Sequence, residues 1–275
     1  MNLAIFVGPA KTGTTWLFEY AKYHPNLVAS SKDKEIQYFN KYYTKGKEWY
    51  LSYFDQNSDF TKCDFSPSYF ASEISRLRIK TDFPTAKIII TLRNPIERTI
   101  SHYKHFLKLG LIRETDAKLA LGKNTTFISN SFYSKYLPEW IEEFGQENIL
   151  ILPIEGMKEN INDYINQLCS FLELDFIDAK KLANTKINEQ SIPRNRTIAY
   201  LASRSRRFTK NYGMRWLTEG AKRIGLKKAI YSGGRNDVLI PEDVYAELKQ
   251  LFAPEIKRLR KYLDPRIYEK YYKNE

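Results

Sequence analysis

A lysine in an unusual place is the most informative residue of the chain. Lys11 lies inside Gly8-Pro9-Ala10-Lys11-Thr12-Gly13-Thr14-Thr15-Trp16, which follows the apolar run Leu3-Ala4-Ile5-Phe6-Val7. A strand, a glycine loop and a helix in that order let backbone N–H groups converge on an anion at the positive end of the helix dipole. The triphosphate loop G-x-x-x-x-G-K-[ST] has the same glycine spacing but puts its lysine after the second glycine. Here Thr14 holds that position and the lysine stands two places before Gly13. An ATP or GTP site would lose its phosphate-bridging lysine, so the loop must serve a different phosphate donor.

A second cationic position lies further along. Arg93 closes the run Lys87-Ile88-Ile89-Ile90-Thr91-Leu92, and Ser101 follows two turns into the next helix. In open parallel sheets ligands sit beyond the carboxyl ends of the strands, where an arginine and a hydroxyl suit a second phosphate. Two separate phosphate positions point to a nucleotide phosphorylated in two places.

These residues need a framework, and the apolar pattern supplies one. The run 87–92, rich in β-branched residues, reads as a parallel strand covered on both faces. Asn94 is an expected N-cap and Pro95 an expected first helical residue. Shorter strands are expected at 27–29, 62–65 and 148–152. Helices are expected after Gly13, over 46–54, 71–81 and 132–144 (with Pro138 inside it), and over 161–172 and 241–263. Alternating strands and helices predict an α/β fold: a P-loop-like, three-layer arrangement with a central, mainly parallel sheet flanked by helices, in a single domain over 1–275.

Composition narrows the partners. Forty-four Lys and Arg against 32 Asp and Glu give a formal charge of +12, which favours an anionic ligand or a plainly basic soluble surface. Cys63 and Cys169 occur in apolar contexts without a C-x-x-C or a histidine cluster. They read as buried thiols of a reducing compartment, with no metal site. With no apolar run long enough for a membrane span and no basic leader, a cytoplasmic protein is expected.

Taken together, Pro9 to Thr15 resembles the 5′-phosphosulfate loop of sulfotransferases that use 3′-phosphoadenosine 5′-phosphosulfate (PAPS). Arg93-Asn94-Pro95, with Arg98 and Ser101, resembles their 3′-phosphate segment. The resemblance implies Lys11, Thr12, Gly13, Thr14 and Thr15 around the phosphosulfate and Arg93 and Ser101 on the 3′-phosphate, with adenosine 3′,5′-bisphosphate as product. Glu35-Ile36-Gln37-Tyr38-Phe39-Asn40, with Trp49-Tyr50 behind it, resembles heparan sulfate N-sulfotransferases and, less closely, glucosaminyl 3-O-sulfotransferases. It implies Glu35 as catalytic base and His105, one turn beyond Ser101, as an assisting residue. Ser232-Gly233-Gly234-Arg235 is similar to a later donor loop, implying Arg235 near the 3′-phosphate.

Two positions depart from the family pattern. Phe65 and Gly233 stand where the related enzymes carry lysines, which loosens any inference to a heparan-like acceptor. The expected reaction is sulfuryl transfer to a hydroxyl or amine of a carbohydrate, with aromatics near Glu35 available to stack on sugar faces. Nucleic acid is not an expected partner. Two other classes compete: a P-loop nucleotide kinase, and a non-enzymatic basic module binding anionic polymers through the segment 192–228. Glu35 also reads as a surface acid beside core aromatics, and His105 as an ordinary helix-surface histidine. Asp64 reads as structural, and Tyr133, Arg194 and Arg196 as either cleft-lining or solvated.

Overall fold

The computed structural model describes residues 2–55, 59–179, 182 and 238–273. The chain divides into two compact units, Met1–Arg98 with Asn130–Ile187 and Lys249–Glu275, and Thr99–Ser129 with Asn188–Leu248. The expected basic segment 192–228 and the loop at 232–235, with Gly233, Arg194, Arg196 and Arg235, lie outside the described residues.

The first unit is built on five parallel strands. β1 (Leu3–Phe6) runs into the glycine loop and α1 (Thr14–Tyr23), and β2 (Leu27–Ala29) follows. A π-helical turn at Tyr38–Tyr42 and a 3-10 turn at Tyr43–Lys45 lead to α2 (Lys47–Leu51), then β3 (Thr61–Phe65) and α3 (Glu73–Asp82). β4 (Lys87–Leu92) comes next, and α4 (Pro95–Lys108) starts in this unit. The sheet order is β2-β3-β1-β4-β5, with every pairing parallel, where β5 is Ile149–Pro153. β1 is thus central, flanked by β3 and β4, and the order reverses around it. The carboxyl ends of these three neighbours carry the glycine loop, the Ser66 turn and Arg93. That is the place where open α/β sheets bind ligands.

Both faces of the sheet are covered, as the β4 run demands. On one face Ala4, Phe6, Cys63, Phe65, Ile89 and Leu152 pack with Trp16, Leu17 and Tyr20 of α1. Ile5, Ile88 and Ile90, pointing the other way, are equally inaccessible. Burying residues of this size is worth about 1.5–3 kcal/mol each, which makes the sheet the stable platform of the unit.

The second unit, among the described residues, is helical. The later part of α4 is joined by α5 (Ala117–Lys123), capped by Asp116, and by α6 (Thr126–Ser129). His102 packs edge-on against Phe106 and Phe127 at 4.8 and 5.1 Å, and the Tyr103 hydroxyl donates to the carbonyl of Thr115 at 2.9 Å.

The remaining elements belong to the first unit, except that the helix Glu242–Leu259 begins in the second. α7 (Tyr133–Phe144) carries Pro138 in its interior. α8 (Ile154–Glu159) and α9 (Ile161–Phe171) follow β5, and α10 (Glu242–Leu259) and α11 (Pro265–Tyr271) end the described chain. Three differences from the expected pattern stand out. The helix expected over 46–54 is the single short α2, because its aromatics pack into π and 3-10 turns upstream. The helix expected over 241–263 stops at Leu259, and Asp264-Pro265 starts α11, with the Asp264 carboxylate accepting from Arg266 N–H at 2.8 Å. Helices α5, α6, α8 and α11 are not anticipated, being too short for an apolar period to show.

Candidate active site

The loop after β1 is fixed by close backbone approach. A Cβ on Gly8 would lie 2.1 Å from Thr91 Oγ1 and 2.2 Å from the Thr91 carbonyl oxygen, so only glycine lets β1 and β4 come this near. Lys11 takes φ 81° and Gly13 φ 90°, a left-handed bend that is costly for a lysine and typical of strained functional loops. The Thr12 hydroxyl donates to the Pro9 carbonyl at 2.7 Å and accepts from Thr91 Oγ1 at 2.7 Å. Thr12 is wholly buried, so its side chain staples the loop from beneath.

Arg98 holds the same loop from α4. Its Nε donates to the Ala10 carbonyl at 3.0 Å and its guanidinium to Ser131 Oγ at 3.0 Å. Burial pulls its proton affinity down, to a pKa of about 10, against the opposing influence of Tyr133. At neutral pH it stays cationic, a fixed positive charge under the loop.

Thr14 and Thr15 open α1, which has Gly13 at its N-cap, no capping side chain and no acid in its first turn. Lys34, which is not among the residues expected from sequence, reaches both hydroxyls: Nζ lies 2.9 Å from Thr14 Oγ1 and 3.0 Å from Thr15 Oγ1. Burial lowers its pKa, with Glu35 and Glu19 opposing the shift. No periodicity or motif marks it; only the folding of 31–37 over α1 brings it in.

Arg93 sits at the end of β4 as expected. One guanidinium nitrogen pairs with Glu97 at 3.0 Å, while its Nε is buried with no hydrogen-bond partner among the described residues. Its backbone is held from two sides. Tyr133 OH donates to the Arg93 carbonyl at 2.8 Å. The next N–H, that of Asn94, donates to buried Glu155 at 2.9 Å. Tyr272 OH donates to the other Glu155 oxygen at 3.1 Å, and Asn94 Nδ2 donates to the Tyr271 carbonyl at 3.0 Å. Asn94 Oδ1 also caps α4 by accepting from Ile96 and Glu97 N–H, as read from the sequence. Tyr133 is therefore a buried positioning residue rather than a cleft wall.

On α4, Ser101 Oγ is likewise buried without a partner among the described residues. Unpaired buried polar atoms are uncommon and call for a ligand or another explanation. His105 lies one turn further along the helix and is partly exposed, whereas His102 is buried in its aromatic cluster.

Glu35 is partly exposed at the start of a segment tied to β3. Gln37 takes φ 58°. Its N–H donates to Ser66 Oγ at 3.2 Å, and Ser66 donates to Asp64 Oδ1 at 2.6 Å. Tyr69 OH donates to the other Asp64 oxygen at 3.2 Å. Burial pushes the Asp64 carboxyl up to about 7, partly offset by these hydrogen bonds and reinforced by Glu35. The structural reading of Asp64 thus becomes specific: it anchors the chain two residues from Glu35. Tyr38 and Phe39 are buried, with Tyr38 stacked on Tyr50 at 4.8 Å. They are core residues, which corrects the expectation that aromatics next to Glu35 offer faces to a sugar. Phe65 stacks on Phe6 at 4.1 Å inside the core and brings no charge to the site.

A separate basic cavity of about 990 Å³ is lined by Phe132, Ser134, Lys135, Glu255, Lys257, Arg258, Arg260, Lys261 and Tyr262. Phe132 and Ser134 flank Tyr133, so the cavity starts beside the residue that holds Arg93. Among the described residues no group of three or more His, Cys, Asp or Glu is arranged for a metal ion.

A parallel sheet whose first strand feeds a glycine loop and a helix N-terminus, with Lys11 in the loop and Arg93 at the end of the neighbouring β4, defines a P-loop-like anion-binding fold. The chain belongs to the sulfotransferase domain family, which matches residues 3–219. It is 26% identical over 275 residues to a bifunctional heparan sulfate N-deacetylase/N-sulfotransferase 1 of Caenorhabditis elegans, covering 94% of this chain and 29% of that protein. The mouse protein of the same name is 32% identical over 171 residues, covering 54% of this chain and 19% of that one. A membrane-associated sulfotransferase of Dictyostelium discoideum, kil1, is 40% identical over 106 residues, covering 37% and 22%. The chain thus spans less than a third of the length of these relatives.

Solved structures agree on the fold. A sulfotransferase from Alicyclobacillus acidocaldarius superposes with a TM-score of 0.68 at 18% identity, covering 98% of this chain and 99% of that one. A mouse sulfotransferase solved with PAP gives 0.52 at 15% identity, covering 98% and 89%. Among the described residues no helix is long and apolar enough to cross a membrane.

Proposed function

We propose that this domain is an enzyme that transfers the sulfuryl group of PAPS to a hydroxyl or amine of a carbohydrate, as one sulfotransferase domain over the whole chain. The carrying observation is Arg93 Nε, buried at the end of β4 without a hydrogen-bond partner among the described residues. It fits a 3′-phosphate, as the left-handed Lys11 loop fits the 5′-phosphosulfate. The relatives' names and the PAP in the mouse neighbour support the same reading.

When bound, the donor supplies an activated sulfuryl group and leaves adenosine 3′,5′-bisphosphate. The bond from sulfur to the acceptor oxygen or nitrogen forms as the one to the 5′-phosphate oxygen breaks. By analogy with phosphoryl transfer, the protein's work is positioning and charge neutralisation. Lys11 neutralises charge on the bridging oxygen as it gathers there, and the N–H groups of Thr12, Gly13, Thr14 and Thr15 hold the surrounding oxygens. Arg93, Ser101 and Arg235 grip the 3′-phosphate. Glu35 takes the proton released by the acceptor, with His105 orienting or sharing that step.

The basic cavity beside Tyr133 favours an acidic glycan as acceptor, since it gathers Lys135, Lys257, Arg258, Arg260 and Lys261. A cytoplasmic setting accords with Cys63 and Cys169 being free and buried. Recovery of the native protein in the membrane fraction would overturn that placement. The reaction is tested by saturating adenosine 3′,5′-bisphosphate in a thermal melt, then by labelled-PAPS transfer to sulfated, carboxylated and neutral glycans with mass spectrometry of the products. A melt unmoved by the nucleotide sinks the donor reading. Transfer confined to non-carbohydrate alcohols sinks the acceptor reading alone.

A further inference from the structure

Lys34 occupies a position that makes little sense without an anion. An ammonium only donates, so Thr14 Oγ1 and Thr15 Oγ1, at 2.9 and 3.0 Å, must both accept from it. Their own O–H hydrogens are then turned elsewhere, and neither hydroxyl has another hydrogen-bond partner among the described residues. The third Lys34 hydrogen is likewise available. These donors gather at the first turn of α1, where no acidic side chain offsets the positive end of the dipole. A cation there is at the wrong end of a helix, and burial adds a desolvation cost that Glu35 and Glu19 only partly relieve. A tetrahedral dianion would reverse each of these penalties at once, by accepting from the ammonium and from both hydroxyls.

We infer that Lys34 is a donor-contacting residue, binding the 5′-phosphosulfate end of the nucleotide together with the Thr14 and Thr15 hydroxyls it orients. This rests on the PAPS reading above and adds to it a second side-chain cation besides Lys11. It also sets specificity, because the contact is made to the 5′ substituent and not to the nucleoside or the 3′-phosphate. A merely structural Lys34, tethering 31–37 to α1, would affect every ligand alike.

The test compares adenosine 3′,5′-bisphosphate with adenosine 3′-monophosphate by titration calorimetry on the full chain. Lys34→Met is expected to weaken the bisphosphate on the order of 10- to 100-fold, the scale of a lost charge-assisted hydrogen bond, while the monophosphate changes by roughly twofold at most. Lys34→Arg should recover much of the loss. Lys34→Gln keeps a donor toward the threonines without the charge; it serves where Lys34→Met does not fold and should show the same selective loss. Equal losses for the two ligands, or none, overturn the role of Lys34. Wild-type protein that binds neither nucleotide overturns the donor reading and this inference with it.

Discussion

The glycine loop at 8–15 and the segment at 34–39 both face the same chemistry, but they are held in place by different means. The loop is shaped by backbone: Gly8 against Thr91, two left-handed residues, and the Thr12 and Arg98 hydrogen bonds to carbonyls of Pro9 and Ala10. The segment carrying Lys34 and Glu35 is set by side chains far away in sequence, through Ser66, Asp64 and Tyr69. A backbone cradle tolerates little change but serves one invariant anion. A segment hung on a buried carboxyl can be re-aimed by neighbouring changes, which under the proposed reaction suits Glu35, the residue that meets a variable acceptor.

The contrast can be broken at several points. The largest effect is expected for Lys11→Ala, which should lower sulfuryl transfer by about 10³-fold in a labelled-PAPS assay, the scale of losing a preorganised charge stabiliser. Glu35→Gln should lower turnover by about 10²-fold or more while leaving the affinity for adenosine 3′,5′-bisphosphate near that of wild type. Undiminished turnover in that variant removes Glu35 as the base.

Stability tests probe the scaffolds themselves. Gly8→Ala places a methyl against Thr91 backbone atoms and should cost about 3 kcal/mol in denaturant unfolding. Gly122, in α5, has no atom within 4 Å of where an added methyl would sit, so Gly122→Ala should stabilise by about 0.5–1 kcal/mol.

The smallest effect is a pH dependence. Asp64 is raised to about 7 from 3.8, so its contribution is fully present below the unfolded value and is lost as pH rises through 7. Melting temperatures of wild type and Asp64→Asn, compared from pH 4.5 to 8.5, should show the variant gaining on wild type as pH rises. A constant difference would mean that Asp64 does not titrate in that window.

Much of this was legible in the residues. The β4 run, the Asn94 cap with Pro95 after it, and the glycine loop are local: each depends on neighbours within a few positions, where chain stereochemistry and hydrogen bonding leave few choices. The aromatic stretch 38–54 was harder, because its rings satisfy one another across turns and no helical period survives. Lys34 and Glu155 were invisible as site residues, and Tyr133 was legible only as cleft-lining or solvated, for a related reason. Each acts on a partner many positions away, as Lys34 on Thr14 or Tyr272 on Glu155, and no spacing rule reports such a pairing.

The displaced lysine of the loop, the strand it follows and the arginine after β4 were therefore determined by sequence alone, since they are read from order and spacing. The tertiary structure decided what surrounds them: a buried carboxyl behind Glu35, a tyrosine and a C-terminal helix locking Arg93, and a second lysine at the head of α1. Those depend on which distant side chains share a buried, low-dielectric space, where an unpaired charge is costly and a paired one is fixed.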